Sequence, residues 1–186
     1  MKKTLLIILA VAVFIGFSLV GTYNNLVQQN QAVEAQWAQV ETQYQRRFDL
    51  IPNLVNSVKG LFDQEQTVFG DIAEARTRYS GATTVDAKAQ AAGQVESALA
   101  RLLVIVENYP DIKSDQATMG LMDELAGTEN RVSVERKRFN DLVRTYNTNI
   151  KQFPTNLIAR LFGFSPKAYF EAVEAAEQAP EVNFGD

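Results

Sequence analysis

Between Leu26 and Phe153 the apolar residues return every three or four positions, and this period constrains the fold more than any other feature. Leu26, Val33, Trp37, Val40 and Tyr44 form one stripe; Ile51, Leu54, Val58, Leu61, Val68, Ile72, Ala75 and Tyr79 form a second. Ala92, Val95, Leu99, Leu102 and Val106 give a third, and Leu121, Leu125, Val132, Phe139, Leu142, Tyr146, Ile150 and Phe153 a fourth. Each stripe runs along one side of a helix and has to be covered by another helix. No segment of useful length alternates with the period of two that a strand would need. The chain therefore reads as all-α, with the stripes as its core.

Turn and cap residues divide the stripes. "YSGATT" closes the second, and Thr83 with Asp86 has the spacing of a capping box for the third. "NYPDIKS" closes the third, Ser114 is placed to cap the fourth, and Pro154 stops it. A short piece from Leu157 to Phe164 follows, then Ser165-Pro166, an N-cap followed by proline at a first helical position.

"RRFDLIPNLV", residues 46–55, is harder to place. An unbroken helix from Tyr23 to Tyr79 would be roughly 85 Å long at 1.5 Å per residue, and much of its stripe would outrun the third helix. An interior proline costs about 3 kcal/mol. A break at 46–50 instead puts Arg46 and Arg47 at a helix C-terminus, Asp49 at an N-cap and Pro52 in a first turn. We expect a turn here. The alternative is a continuous helix kinked at Pro52, because the stripe keeps its phase through that residue.

Thr4 to Gly21 is an uncharged run of eighteen residues preceded by Lys2 and Lys3, near the lower limit for a spanning helix. It reads as an uncleaved anchor, with a cleaved signal peptide as the rival. No basic residue follows it until Arg46, so the lysines would keep the N-terminus cytoplasmic and the rest outside. The expected architecture is an antiparallel up-down four-helix bundle following an N-terminal transmembrane helix, with a short C-terminal helical extension. Its divisions are residues 1–3 in the cytoplasm, 4–21 in the membrane, 22–153 in the bundle and 154–186 in the extension and tail.

Composition narrows the chemistry. The 186 residues include no cysteine and no histidine, which excludes thiol nucleophiles, disulfides, histidine bases and zinc sites built on either. The net charge of -4 and the lack of a basic stripe argue against nucleic acid. Glu65, Thr128 and Glu135 interrupt apolar stripes and Glu129 lies beside one, but carboxylate-bridged metals in bundles normally also use histidine. These carboxylates are expected to face solvent or to pair with arginines such as Arg101 and Arg131. No cofactor or metal is expected.

Two surfaces remain as candidates. If the turns at 46–50 and 109–113 share one end of the bundle, Arg46, Arg47 and Asp49 lie near Glu107 and Asp111. That cluster is either a polar docking surface or an ion-paired cap of two turns. In "LIARLFGF", Leu157, Ile158, Leu161 and Phe162 either dip into a membrane interface, with Arg160 at headgroup level, or cap the bundle core. Tyr23-Asn24 and Tyr146-Asn147 should also meet if the first and last long helices are antiparallel.

The motifs "YNNLV" (23–27), "RRFDLIPNLV", "ENYPDIKS" (107–114), "ELAGTEN" (124–130), "YNTNIKQFP" (146–154) and the closing "APEVNF" together resemble the LemA family, from about Tyr23 to Phe184. The resemblance implies a bacterial-type, membrane-anchored helical bundle whose molecular activity is not established at the family level. It also implies an association of some relatives with membrane-organelle formation. The expectation is a non-catalytic interaction or scaffold protein of the cell envelope, with a protein partner or a second copy. The alternatives are a sensing or regulatory subunit acting through a membrane-spanning partner such as a membrane protease, and an enzyme built on bundle carboxylates.

Overall fold

The structure, a computed structural model, describes residues 2–59, 66–107, 109 and 115–170, and all regular structure among them is helical. The helices are α1 (Lys2–Lys59), α2 (Gln66–Gly81), α3 (Val85–Glu107), α4 (Gln116–Lys151) and α5 (Thr155–Leu161). The chain divides into two compact units, Met1–Val40 with Glu135–Ala168, and Glu41–Val134 with Tyr169–Asp186.

The expected turn at 46–50 does not exist. α1 runs through "RRFDLIPNLV" with Pro52 inside it. Packing explains why. Tyr44, Phe48, Ile51, Leu54 and Val58 are all buried on one side of the helix, straddling the proline. Full burial of one large apolar side chain contributes about 1.5–3 kcal/mol, so several together exceed the roughly 3 kcal/mol cost of an interior proline. Asp49 is accordingly an exposed mid-helix residue that accepts a hydrogen bond from Gln45 Nε2 at 2.9 Å, and not an N-cap.

The expected transmembrane helix is also corrected. Residues 4–21 are the start of α1 and not a separate element, and among the described residues no helix is long and apolar enough to cross a membrane. A span needs about 20 apolar residues. The apolar stretch from Thr4 to Gly21 has eighteen, and the side chains at positions 11, 12 and 15 lie outside the described residues.

In the first unit α1 and α4 run antiparallel. Asn149 Nδ2 donates to Gln29 Oε1 at 2.8 Å, and Gln36 Nε2 donates to the Glu135 carboxylate at 2.6 Å. Leu26, Val33, Val40, Phe139, Val143, Tyr146 and Ile150 are buried, and the Trp37 and Phe139 rings lie 5.2 Å apart. Asn147 and Tyr23, from the two tyrosine-asparagine pairs expected to meet, have other partners. Asn147 instead clamps the backbone of Lys167 with two bonds, Nδ2 to the carbonyl at 2.9 Å and Oδ1 from the amide at 2.8 Å. Tyr23 packs on Phe162 and Phe164.

In the second unit α2 and α3 form a hairpin, tied by Arg78 to Gln94 at 3.1 Å and by Arg101 to Asp71 at 3.0 Å. α1 runs in the same sense as α3, with Glu41 beside Lys88 and Tyr44 beside Glu96. α4 opposes α1 here too, Arg46 meeting Glu124 and Arg47 meeting Glu129. The caps sit one residue later than expected. Thr84, not Thr83, accepts the Ala87 amide at 3.2 Å to start α3. Asp115 accepts both the amide and the hydroxyl of Thr118, at 2.9 and 3.0 Å, to start α4. Those bonds hold the Asp115 carboxyl below its ordinary range. Ser114 lies outside the described residues.

α4 ends at Lys151, before Pro154, as the sequence indicates. Residues 164–170 are not helical, so Ser165-Pro166 opens no helix among the described residues.

Candidate functional site

Arg46 and Arg47 occupy successive positions on α1, about 100° apart around its axis, and this separates their environments. Arg46 is exposed and reaches the equally accessible Glu124 at 3.4 Å. Arg47 faces inward, with only 7% of its surface exposed. Its Nη1 pairs closely with Glu129 Oε2 on α4 and lies 3.8 Å from Glu96 Oε1 on α3. One guanidinium thus ties three helices together, while its Nε has no hydrogen-bond partner.

Glu96 also accepts a hydrogen bond from the Tyr44 hydroxyl at 3.3 Å. Burial, reinforced by the neighbouring Glu129 charge and only partly countered by Arg47, pushes the Glu96 carboxyl up to about 7. Tyr44 belongs to an aromatic group with Phe48, Tyr79 and Phe170, whose ring centroids lie 4.8–6.3 Å apart. The Tyr79 hydroxyl is buried without a hydrogen-bond partner. Burial, then the Glu41 charge, raises its pKa far above the ordinary phenol value. Lys88 lies over the Tyr79 ring, 5.6 Å from its centroid, and pairs with Glu41.

Of the expected polar cluster, Glu107 is the exposed last residue of α3 and Asp111 lies outside the described residues. The carboxylates that meet the two arginines are Glu124, Glu129 and Glu96. The sequence puts Glu129 beside a stripe but does not single out Glu96 or Glu124. A usable signal existed for Glu96, which falls between Val95 and Leu99 on the edge of the third stripe. Among the other flagged residues, Thr128 is buried and satisfies its hydroxyl on the Leu125 carbonyl at 2.7 Å. Glu135 pairs with Arg138 and accepts from Gln36, Arg101 pairs with Asp71, and Glu65 lies outside the described residues. Among the described residues no group of three carboxylates is placed to hold a metal ion.

The "LIARLFGF" residues divide by face. Ile158 and Ala159 are buried, whereas Leu157, Arg160, Leu161 and Phe162 are exposed, Leu161 at 78%. Phe153, expected in the fourth stripe, is exposed at 80% because α4 has already ended. Gly163 stops α5 at φ 76°, a left-handed conformation that costs glycine little. The following amide, on Phe164, then bonds the Ala159 carbonyl at 2.9 Å. This stop lays both Phe162 and Phe164 on Tyr23, at centroid distances of 4.8 and 5.8 Å.

Residues 36–184 match the LemA family. The chain is 28% identical to magnetosome protein MamQ 2 of Paramagnetospirillum magneticum, over 91% of this chain and 72% of that protein. It is 26% identical to magnetosome protein MamQ of Magnetospirillum gryphiswaldense, over 83% of this chain and 66% of that protein. Protein LemA of Metamycoplasma hominis is 23% identical over 91% of this chain and 78% of its own length.

Proposed function

This chain belongs to the LemA family, and from that premise we propose that it is a non-catalytic helical interaction protein working at a membrane of the cell envelope. The observation that carries this reading is the exposed apolar surface at the start of α1. Leu5, Leu6, Ile7, Ile8, Phe14 and Phe17 all present more than half of their surface. Apolar side chains in such a run mark a surface that another apolar phase covers. The names of the two magnetosome relatives support a setting in membrane-organelle biology, and the absence of cysteine and histidine removes the commonest nucleophiles and bases.

The partner is a protein or a second copy of the chain, recruited by helical faces and not by a reactive group. Proximity labelling in cells from a tag after Asp186, compared with a cytosolic control carrying the same tag, tests both parts. Enrichment of membrane proteins together with recovery of the chain in the membrane fraction is the expected result. Recovery in the soluble fraction, with a labelling profile equal to the control, defeats the reading.

A further inference from the structure

Within the first unit, charge and apolar exposure coincide at the corner where α4 passes into α5. Phe153, Leu157, Leu161 and Phe162 are exposed there, and Leu157, Arg160 and Leu161 share one helical face by their spacing of three and four. The surrounding sequence is as unusual as the surface. Residues 142–170 contain four basic residues and no acidic one, in a chain whose net charge is -4. Residues 1–33 contain two lysines and, again, no acidic residue.

Two of the four cations have local carboxylates. Arg144 pairs with Asp141, and Lys167 lies 3.1 Å from Glu34, which holds the Glu34 carboxyl below its ordinary range. Lys151 and Arg160 are exposed and alternate with the apolar residues along the chain. The Tyr23 ring against Phe162 makes this corner continuous with the part of α1 that follows exposed Val20.

We infer that the α4–α5 corner docks on an anionic lipid surface, with Phe153, Leu157, Leu161 and Phe162 in the headgroup–acyl boundary and Lys151 and Arg160 on lipid phosphates. An apolar face flanked by cations is what such a boundary selects. A protein partner of ordinary acidity would not require a segment, residues 142–170, without a single acidic residue. The inference rests on the membrane reading above and names the lipid class and the residues that read it.

The absence of cysteine allows one label at a chosen site. In the full chain, Leu161→Cys carries an environment-sensitive dye, and Gln39→Cys, on an exposed position of α1, is the control. Vesicles of phosphatidylcholine, with or without phosphatidylglycerol, carry a quencher on their acyl chains. The dye at 161 should be quenched on the phosphatidylglycerol vesicles and the dye at 39 should not. Lys151→Gln and Arg160→Gln should each move the contact about fivefold toward water, the effect of one basic residue at an anionic surface.

If the full chain binds the vesicles but the dye at 161 stays in water, the corner is not the contact and the membrane reading survives. A chain that binds neither vesicle defeats both. Equal quenching on neutral vesicles removes the anionic preference and with it the inference. Concentration-dependent shielding at 161 without vesicles assigns the surface to a second copy and overturns the inference.

Discussion

Arg46 and Arg47 are neighbours in sequence with opposite energetic weight. Arg46 and Glu124 are both about half exposed, and a pair of that kind contributes about 0–1 kcal/mol. Arg47 is buried against two carboxylates, and removing it leaves Glu96 and Glu129 facing each other without a counter-charge. Arg47→Ala should therefore cost about 3 kcal/mol and Arg46→Ala less than about 1 kcal/mol, read by urea unfolding. Equal effects would mean that Arg47 is not held as described. Glu96 adds a pH signature. Its folded pKa of about 7 stands above the ordinary carboxyl value of 4.5, so between the two the folded chain retains a proton that the unfolded chain has released. Stability from this group is thus full below the lower value and declines as pH rises to about 7. Among the groups facing it are Arg47 and Tyr44 from α1 and Glu129 from α4. Glu96→Gln should flatten this part of the melting-temperature profile, and an unchanged slope would assign it elsewhere.

At the scale of elements, the two readings of "RRFDLIPNLV" differ measurably. In a first turn, Pro52 would be nearly neutral and Asp49→Ala would cost about 1 kcal/mol for the lost cap. Inside α1, Pro52→Ala restores a helix bond and should stabilise by one to about 3 kcal/mol, and Asp49→Ala should change stability by less than about 0.5 kcal/mol. Denaturant midpoints for the two variants decide between them. The periodicity already contained the answer, since Phe48, Ile51, Leu54 and Val58 continue the stripe without a change of phase across the proline. Local proline and cap chemistry points to a turn all the same, because the burial that offsets the proline is a tertiary property, invisible in a linear sequence. The same limit explains the caps. Thr83 and Thr84 are adjacent hydroxyls of one kind, and only the backbone geometry selects Thr84 over the expected Thr83. It also explains Phe153, which fits the stripe but lies beyond the end of its helix. Legible from the start were the helical class, most of the buried residues and the stop before Pro154. The three-helix contact through Arg47 was not, because Glu96 and Glu129 are remote in sequence and look like ordinary polar positions.

Over the whole molecule the charges are sorted and not mixed. Of the 22 acidic residues none falls in 1–33 or 142–170, while six of the 18 basic residues do. A uniformly mixed chain of net charge -4 would be repelled by an anionic membrane. A sorted one is attracted through its basic parts when those lie within a Debye length of the surface, about 10 Å at 0.1 M salt and about 3 Å at 1 M. The full chain should therefore float with phosphatidylglycerol-containing vesicles on the order of twenty-five-fold better than with phosphatidylcholine alone at low salt, two exposed cations at about fivefold each supplying the difference. High salt should remove the preference while leaving the weaker association that exposed apolar side chains give on both vesicle types, because burial of apolar surface is not screened. The reverse preference at low salt, weaker flotation with anionic vesicles, would mean that net charge governs the encounter and that the sorting along the chain serves something other than lipid.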